Sequence, residues 1–183
     1  MWQAEDDGVF SVSSVKDLEK TFRIGVLSDT HLPGSGEAVA FLQDLVEHCL
    51  APVDMILHAG DLVDPELLHV FGDCPVHAVR GNMDPATPGV PVKKLLEVRG
   101  FSIGLMHGWG PPQGLEQRIL NEFSGVKLDC LVYGHSHRPV CMVRDGMLIL
   151  NPGSATDRRG MSFHSVGLIE VGHRIKGSII RID

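Results

Sequence analysis

Three short polar strings in this chain hold residue types that commonly bind metal ions. They are Ser28-Asp29-Thr30-His31, Gly60-Asp61 and Gly134-His135-Ser136-His137. In an extended segment side chains repeat every two residues, so Asp29 and His31 are expected to point the same way. His135 and His137 form a second such pair. Carboxylate and imidazole groups that converge in this way favour a metal-dependent hydrolytic site.

Each string follows an apolar run that has the character of a buried strand. The runs are residues 24–27, 55–57 and 130–133, and each ends in a predicted loop. Ligands at the carboxyl ends of neighbouring strands can meet in one crevice. Gly81-Asn82 and His107-Gly108 add an amide and an imidazole to this set. The pattern therefore indicates a two-metal site.

Such a site suits phosphoester hydrolysis. That reaction needs a strong nucleophile at neutral pH, neutralised phosphoryl oxygens and a stabilised departing oxygen. Two metal ions about 3.5–4 Å apart supply all three, and a carboxylate can bridge them. No serine or cysteine nucleophile is then required.

The composition restricts the class of protein. The 183 residues are 43% hydrophobic and 21% charged, which predicts one globular domain and excludes disorder across the whole chain. The formal net charge of -7 argues against broad binding to a phosphate backbone, so a nucleic-acid partner is not expected. No apolar run is long enough to span a membrane, and signal-peptide features are absent. We expect a cytoplasmic protein whose four cysteines are reduced.

The elements that position the strings form two contrasting halves. Residues 1–20 are polar and predict an N-terminal arm, and residues 21–183 predict a single domain. Strands alternate with helices over 37–50 and 65–70, which favours a mainly parallel sheet. Asp64 is the predicted N-cap of the second helix, with Pro65 at its first position. The later part predicts a hairpin of 92–98 and 101–106, a helix near 112–124 and then a meander of short strands. Two packed sheets with helices outside would bury all the apolar faces.

The ordered series of motifs resembles the calcineurin-like metallophosphoesterase superfamily over about residues 22–182. The series is Asp29-x-His31, Gly60-Asp61, Gly81-Asn82, His107-Gly108 and Gly134-His135-x-His137. Each motif alone is weak evidence, but all are present in order. The compact length, Asn82-Met83-Asp84 and Asn151-Pro152-Gly153-Ser154 make the chain most similar to the small YfcE-like and Vps29-like branch.

The resemblance implies an α/β fold, a four-layer α/β/β/α sandwich of two mixed sheets flanked by helices, with a dinuclear centre at one end. Carried over by motif, the first metal would be bound by Asp29, His31 and His137. The second would be bound by Asn82, His107 and His135, and Asp61 would bridge the two. The implied reaction is in-line attack of a metal-bridging hydroxide on a small phosphoester, most simply a phosphodiester, with Asp61, Asn82 and His107 counted as catalytic.

Ligand chemistry is compatible with this inference. Mixed imidazole, carboxylate and amide ligands suit Mn, Fe, Co, Ni or Zn better than Ca or Mg, and Mn is favoured. Structural alternatives exist for each residue taken singly. Asp29 and Asp61 are also typical helix N-caps, and Asn82 is typical of a left-handed turn. The histidines could equally be surface or buried structural residues.

One departure from the superfamily pattern affects mechanism. Many members have a histidine after the asparagine, assigned to transition-state stabilisation or leaving-group protonation, whereas this chain has Met83, which cannot donate a proton. Asp84 or a metal-bound water is the candidate acid, although Asp84-Pro85 is also a simple turn.

Arg138 is a candidate for binding a phosphoryl oxygen, with a surface ion pair as the alternative. Trp109 is a candidate pocket residue or a core residue. His58 is a candidate support for the site or a buried structural histidine.

Other functions stay open at this stage. The same fold serves as a Vps29-like protein-binding scaffold with little or no catalysis, and fold alone does not distinguish the two. The complete ligand set favours the enzyme. A nuclease is the third hypothesis and fits the acidic charge less well. The sequence admits a homo-oligomer.

Overall fold

Two five-stranded β-sheets pack face to face in the computed structural model, which describes residues 20–182. The predicted arm therefore lies, except for Lys20, outside the described residues. The first sheet contains β1 (Phe22–Leu27), β2 (Met55–His58), β3 (Val76–Ala78), β9 (Ser165–Val171) and β10 (Ile175–Arg181). The second contains β4 (Lys93–Val98), β5 (Phe101–Met106), β6 (Cys130–Tyr133), β7 (Val140–Arg144) and β8 (Met147–Asn151).

Capping side chains precede two of the helical segments in the described residues. Helix α1 (Gly36–Leu45) is capped by the Ser35 side chain, which accepts a hydrogen bond from the backbone N–H of Ala38. It continues as a π-helical turn over Val46–Leu50, so the predicted helix over 37–50 is confirmed. A 3-10 helix (Pro65–Phe71) follows the predicted Asp64 cap. Helix α2 (Leu115–Glu122) is shorter than the predicted 112–124.

The strand order differs from the predicted parallel half and meander half at β6 and at β9, which pairs with β1 in the first sheet. In the first sheet, ordered β10-β9-β1-β2-β3, β1 pairs in parallel with β2, and β2 with β3. In the second, ordered β4-β5-β6-β8-β7, β6 pairs in parallel with both β5 and β8. The meander prediction is therefore wrong for β6. The chain between β5 and β6 includes α2, which gives the crossover that parallel strands need.

Alternation along the central strands builds three apolar layers. In β2, Leu57 packs between the two sheets and Ile56 packs under α1. In β6, Val132 packs between the sheets and Leu131 packs under α2. Because both faces are covered, these strands are apolar except for His58 at the end of β2. The result is the predicted four-layer α/β/β/α sandwich.

The helices of the described residues are all too short or too polar to cross a membrane.

Candidate metal centre

The loops that follow five strands converge at one end of the sandwich. The loops after β1, β2 and β3 carry Asp29 and His31, Asp61, and Asn82, respectively. The second sheet supplies His107 directly after β5, and His135 and His137 after β6. The apolar runs predict ligands at the ends of neighbouring strands, whereas the predicted ligands come from strands of both sheets. The seven predicted ligands thus surround the seam between the sheets.

The backbone at these positions is left-handed rather than extended. Positive φ angles occur at Asp29 (53°), His31 (47°), Asp61 (56°), His135 (97°) and His137 (56°). The expected two-residue alternation is therefore wrong as an explanation of where these side chains point. Asp29 and His31 nevertheless converge, whereas His135 and His137 contact different halves of the centre.

The first half of the centre consists of Asp29, His31 and His137. Their ligand atoms lie within 4.8 Å of one another. The Nε2 atom of His137 is 3.3 Å from Asp29 Oδ1 and 3.1 Å from His31 Nε2. The His31 and His137 rings stack with centroids 5.1 Å apart. One carboxylate and two imidazoles can thus bind one ion.

The second half consists of Asn82, His107 and His135. The Asn82 Oδ1 atom lies 3.2 Å from His107 Nε2 and 3.1 Å from His135 Nδ1. Asp61 lies between the two halves, because its Oδ2 is 3.5 Å from His107 Nε2 and 3.9 Å from His31 Nε2. That location suits a bridging carboxylate.

Backbone carbonyls determine which imidazole nitrogens are free. His107 Nδ1 lies 2.7 Å from the carbonyl of Ala59, and His137 Nδ1 lies 2.6 Å from that of Asp157. His135 Nε2 lies 2.9 Å from the carbonyl of Gly110. A carbonyl only accepts, so each of these nitrogens carries a hydrogen and the opposite nitrogen of a neutral ring is a lone pair.

Those lone pairs face oxygen atoms that are also acceptors. His107 Nε2 faces Asp61 and Asn82, and His137 Nε2 faces Asp29. Acceptors facing acceptors repel one another unless a cation, either a metal ion or a proton, lies between them. Carbonyl-held imidazoles with buried carboxylates are the donor set that divalent transition metals bind, so these residues fit such a metal.

The same electrostatics shift the pKa values. Burial raises the pKa of Asp61, but the hydrogen bond and charge of His107, with the Met83 N–H, outweigh it and lower the pKa to about 2. Burial also tends to raise the pKa of Asp29, but the hydrogen bond with His137 contributes most to lowering it, and the pKa is lowered overall. Burial tends to lower the pKa of His107, but the hydrogen bond with Asp61 and the nearby carboxylate charges outweigh burial and raise it. Both carboxylates are therefore ionised at neutral pH.

Hydrogen bonds hold Asp29 in place from several directions. The Ser28 hydroxyl donates to Asp29 Oδ2 at 2.6 Å, and the backbone N–H of His135 donates to the same oxygen at 2.9 Å. The Ser154 hydroxyl donates to the Asp29 carbonyl at 2.7 Å. Gly134 allows this packing, because a Cβ there would lie 1.8 Å from Ser28 Oγ. The segment 151–154 therefore makes one direct contact with a predicted ligand residue, through Ser154.

Asp84 has a role that the sequence argument missed. Its Oδ2 accepts backbone hydrogen bonds from Asp61 at 2.9 Å and Gly81 at 2.7 Å. Its Oδ1 accepts one from Val63 at 2.6 Å. Because both oxygens of Asp84 already accept backbone hydrogen bonds, the suggestion that Asp84 acts as general acid is not supported. It joins the loop that carries Asp61 to the loop that carries Asn82.

His58 is a buried histidine that supports a loop of the site. It accepts a hydrogen bond from the Gly60 N–H at Nδ1, 3.3 Å away, and its Nε2 lies 3.1 Å from Thr30 Oγ1. Burial lowers its pKa to about 4, only partly offset by Asp84 and Asp29. His58 is therefore neutral at pH 7.

Arg138 and Trp109 lie in two different cavities. Arg138 is exposed and lines a cavity of about 450 Å³ with Tyr133 and Ser136. Trp109 is 40% exposed and lines a cavity of about 230 Å³ together with Asn82 and His107. Of the two, Trp109 shares its cavity with predicted ligands.

A four-layer sandwich with imidazole and carboxylate ligands at one end is the architecture of the metal-dependent phosphoesterases. The model of the calcineurin-like phosphoesterase superfamily domain matches residues 22–174, and the chain belongs to this superfamily. The chain is 37% identical over 164 residues to a probable metallophosphoesterase of Methanothermobacter thermautotrophicus, covering 86% of this chain and 91% of that protein.

Solved structures share the fold. An archaeal phosphodiesterase superposes with a TM-score of 0.67 at 20% identity, covering 88% of this chain and 100% of the other. Vps29 of Entamoeba histolytica, solved as a Zn²⁺ complex, superposes with a TM-score of 0.60 at 25% identity with the same coverage. The fold is therefore similar both to an enzyme and to Vps29.

Proposed function

We propose that this phosphoesterase family member is a phosphodiesterase with a dinuclear metal centre. The single observation that carries the proposal is that His107 Nε2 and His137 Nε2 lie 3.5 Å and 3.3 Å from the oxygens of Asp61 and Asp29. A carbonyl accepts a hydrogen bond from the other nitrogen of each ring, so in the neutral rings an acceptor faces an acceptor. A cation set between them resolves the repulsion. Membership in the superfamily supports phosphoester hydrolysis as the reaction.

Each half of the centre would hold one ion. Asp29, His31 and His137 form the first set, and Asn82, His107 and His135 form the second. Asp61 contributes to both halves, as its Oδ2 is within 4 Å of an imidazole nitrogen from each. Two divalent ions bound there would supply a hydroxide nucleophile and neutralise the phosphoryl oxygens. Mn²⁺ is our first choice because the ligands are imidazoles, carboxylates and an amide without thiolates.

The chain itself orients and shields this chemistry. Carbonyl hydrogen bonds fix the ring orientation of His107, His135 and His137, which keeps one nitrogen of each directed at the centre. The side chains of Asp29 and Asp61 are almost fully buried, so little water competes with what they bind. The active-site charge is thus organised before substrate arrives.

Neither Met83 nor Asp84 is expected to protonate the leaving group. Met83 has no transferable proton, and Asp84 is held by three N–H donors. We therefore expect activated esters with good leaving groups to react more readily than alkyl monoesters. Equal rates on the two classes would count against this reasoning.

The test combines metal analysis with hydrolysis. The purified protein should bind about two equivalents of Mn²⁺ and hydrolyse bis(4-nitrophenyl) phosphate and 4-nitrophenyl phosphate, with Co, Ni, Zn and Fe compared in parallel. Asp61→Asn should lower turnover at least about a hundredfold, beyond the loss typical of a mere supporting residue. Asp73→Asn, an exposed site outside the centre, is the matched control.

If the protein is instead a protein-binding scaffold, we expect metal binding without hydrolysis of either ester. The likeness to Vps29 favours a scaffold as a second candidate. A protein that binds metal but hydrolyses neither ester with any of these ions would overturn the enzyme proposal and favour protein binding.

A further inference from the structure

A groove beside the second half of the centre is not used by the proposed mechanism. It has a volume of about 230 Å³, and Asn82 and His107 line it together with Val92, Trp109 and Arg80. Because two of the predicted ligands belong to its wall, whatever occupies the groove also touches the centre. A substrate whose phosphorus lies at the metals would therefore extend one of its substituents into this space.

The groove wall exposes large apolar side chains. Trp109 is 40% exposed and Val92 is 47% exposed. Met83, which follows Asn82 in the chain, is 58% exposed. Exposed apolar surface gathered beside a polar site is typical of a ligand-binding surface rather than of ordinary solvent-facing residues.

The wall is held in position by backbone contacts. The Arg118 guanidinium donates hydrogen bonds to the carbonyls of Trp109 at 2.8 Å and Gln113 at 2.7 Å, and to that of Pro111. The backbone N–H of Arg80 donates to the Pro91 carbonyl at 2.8 Å, next to Val92. Both sides of the groove are thus fixed before a ligand binds, which lowers the entropic cost of binding.

We infer that this groove is the subsite for the ester group that stays on phosphorus, and that it accepts a flat aromatic group such as an aryl ring or a nucleobase. The inference rests on the proposed phosphodiesterase function. An indole face and a valine offer stacking and apolar contact but few hydrogen bonds. The volume is below the range of roughly 300–1,000 Å³ typical of sites for drug-sized ligands, which suits a single ring system. Arg80 also lines the groove, and a guanidinium can stack on an aromatic ring.

The first test measures binding without turnover. Trp2 and Trp109 are the two tryptophans of the sequence, so Trp2→Phe leaves Trp109 as the only indole reporter. The metal-loaded variant is titrated with diphenyl phosphate and with dimethyl phosphate, and emission is recorded immediately after mixing. We expect a saturable change with the diphenyl ester and about tenfold weaker binding of the dimethyl ester, because the methyl group loses the ring contact in the groove. Equal responses to both esters would overturn the inference.

The second test compares two substrates that share a leaving group. These are bis(4-nitrophenyl) phosphate and methyl 4-nitrophenyl phosphate. Trp109→Ala should lower kcat/KM for the diaryl ester about tenfold, mainly through KM, and for the methyl ester less than about twofold. Trp109→Phe should retain most of the preference because it keeps a ring. An equal loss on both esters would refute the assignment.

Controls separate the two proposals. Val143→Ala changes a 69% exposed side chain on β7, remote in sequence from the groove residues, and should leave both rates unchanged. If the wild-type protein hydrolyses neither ester, the phosphodiesterase proposal fails. The fluorescence titration still decides whether the groove prefers an aromatic group.

Discussion

Replacing Asp84 tests whether one carboxylate holds two ligand-bearing loops together. Its oxygens accept three backbone hydrogen bonds, from Asp61, Gly81 and Val63. A hydrogen bond to a charged group contributes about 1.5–3 kcal/mol, and the contributions of neighbours do not simply add. Since Asp84 is only half-buried, water replaces part of what is lost. Asp84→Ala should therefore lower the free energy of unfolding by about 3–5 kcal/mol.

Asp84→Asn provides a graded comparison. Placed with its oxygen at the Oδ2 position, the amide keeps the bonds to Asp61 and Gly81 but turns an NH₂ group toward the Val63 N–H. The loss should be about 2 kcal/mol, one charged hydrogen bond replaced by a donor facing a donor. Urea unfolding of the chelator-treated protein measures both variants without a contribution from metal binding. Asp73→Ala, at an exposed turn position, is the control and should change stability by less than about 0.5 kcal/mol.

Metal affinity gives the second assay. Misplacement of the Asp61 and Asn82 loops should weaken metal binding by about 10–100-fold in Asp84→Ala, measured by calorimetric titration of Mn²⁺. If Asp84→Ala matches Asp73→Ala in stability, the role assigned to Asp84 is refuted, because three backbone N–H groups would then have lost their acceptor without consequence.

Three further predictions concern the surroundings of the site. The pKa of His58 is about 4 in the folded protein against an ordinary 6.5, so the unfolded chain takes up the proton first as pH falls. Stability is thus lost between pH 6.5 and 4, by about 2 kcal/mol at pH 5, and His58→Gln should flatten this part of the stability curve; parallel curves would contradict it. Gly134→Ala should lower the melting temperature by about 6 °C or more, since its Cβ would lie 1.8 Å from Ser28 Oγ; an unchanged melting temperature would count against the packing. Met83→His should raise the rate on alkyl esters relative to aryl esters, because imidazole can donate a proton, and an unchanged ratio would argue against a missing acid.

Much of the fold follows from periodicity and capping residues. Asp64 with Pro65 marks a helix start that the structure contains. The pairing of β6 was not predictable in the same way. Val132 and Leu57 are both buried between the sheets, and an apolar strand of this kind carries no information about which sheet it joins. The crossover through α2 decides the outcome.

The candidate site was predictable in its residues but not in its geometry. The motifs gave all seven side chains that the structure brings together. The left-handed backbone at His31, His135 and His137 could not be anticipated, because histidine has only a modest preference for that conformation. The role of Asp84 depends on N–H groups of residues 61 and 63, more than twenty positions earlier, and an Asp-Pro pair by itself predicts only a turn.

The left-handed backbone at the predicted ligands would set catalysis against stability. A side chain with a Cβ loses about 1 kcal/mol in this conformation, and glycine does not. Glycine at His31 or His135, whose side chains are partly exposed, would therefore relax the backbone while removing a predicted ligand. In a chain selected only for a stable fold, random substitution would accumulate such glycine variants. Selection for turnover would keep these two strained histidines in place, so a library screened for stability should lose them and one screened for hydrolysis should retain them.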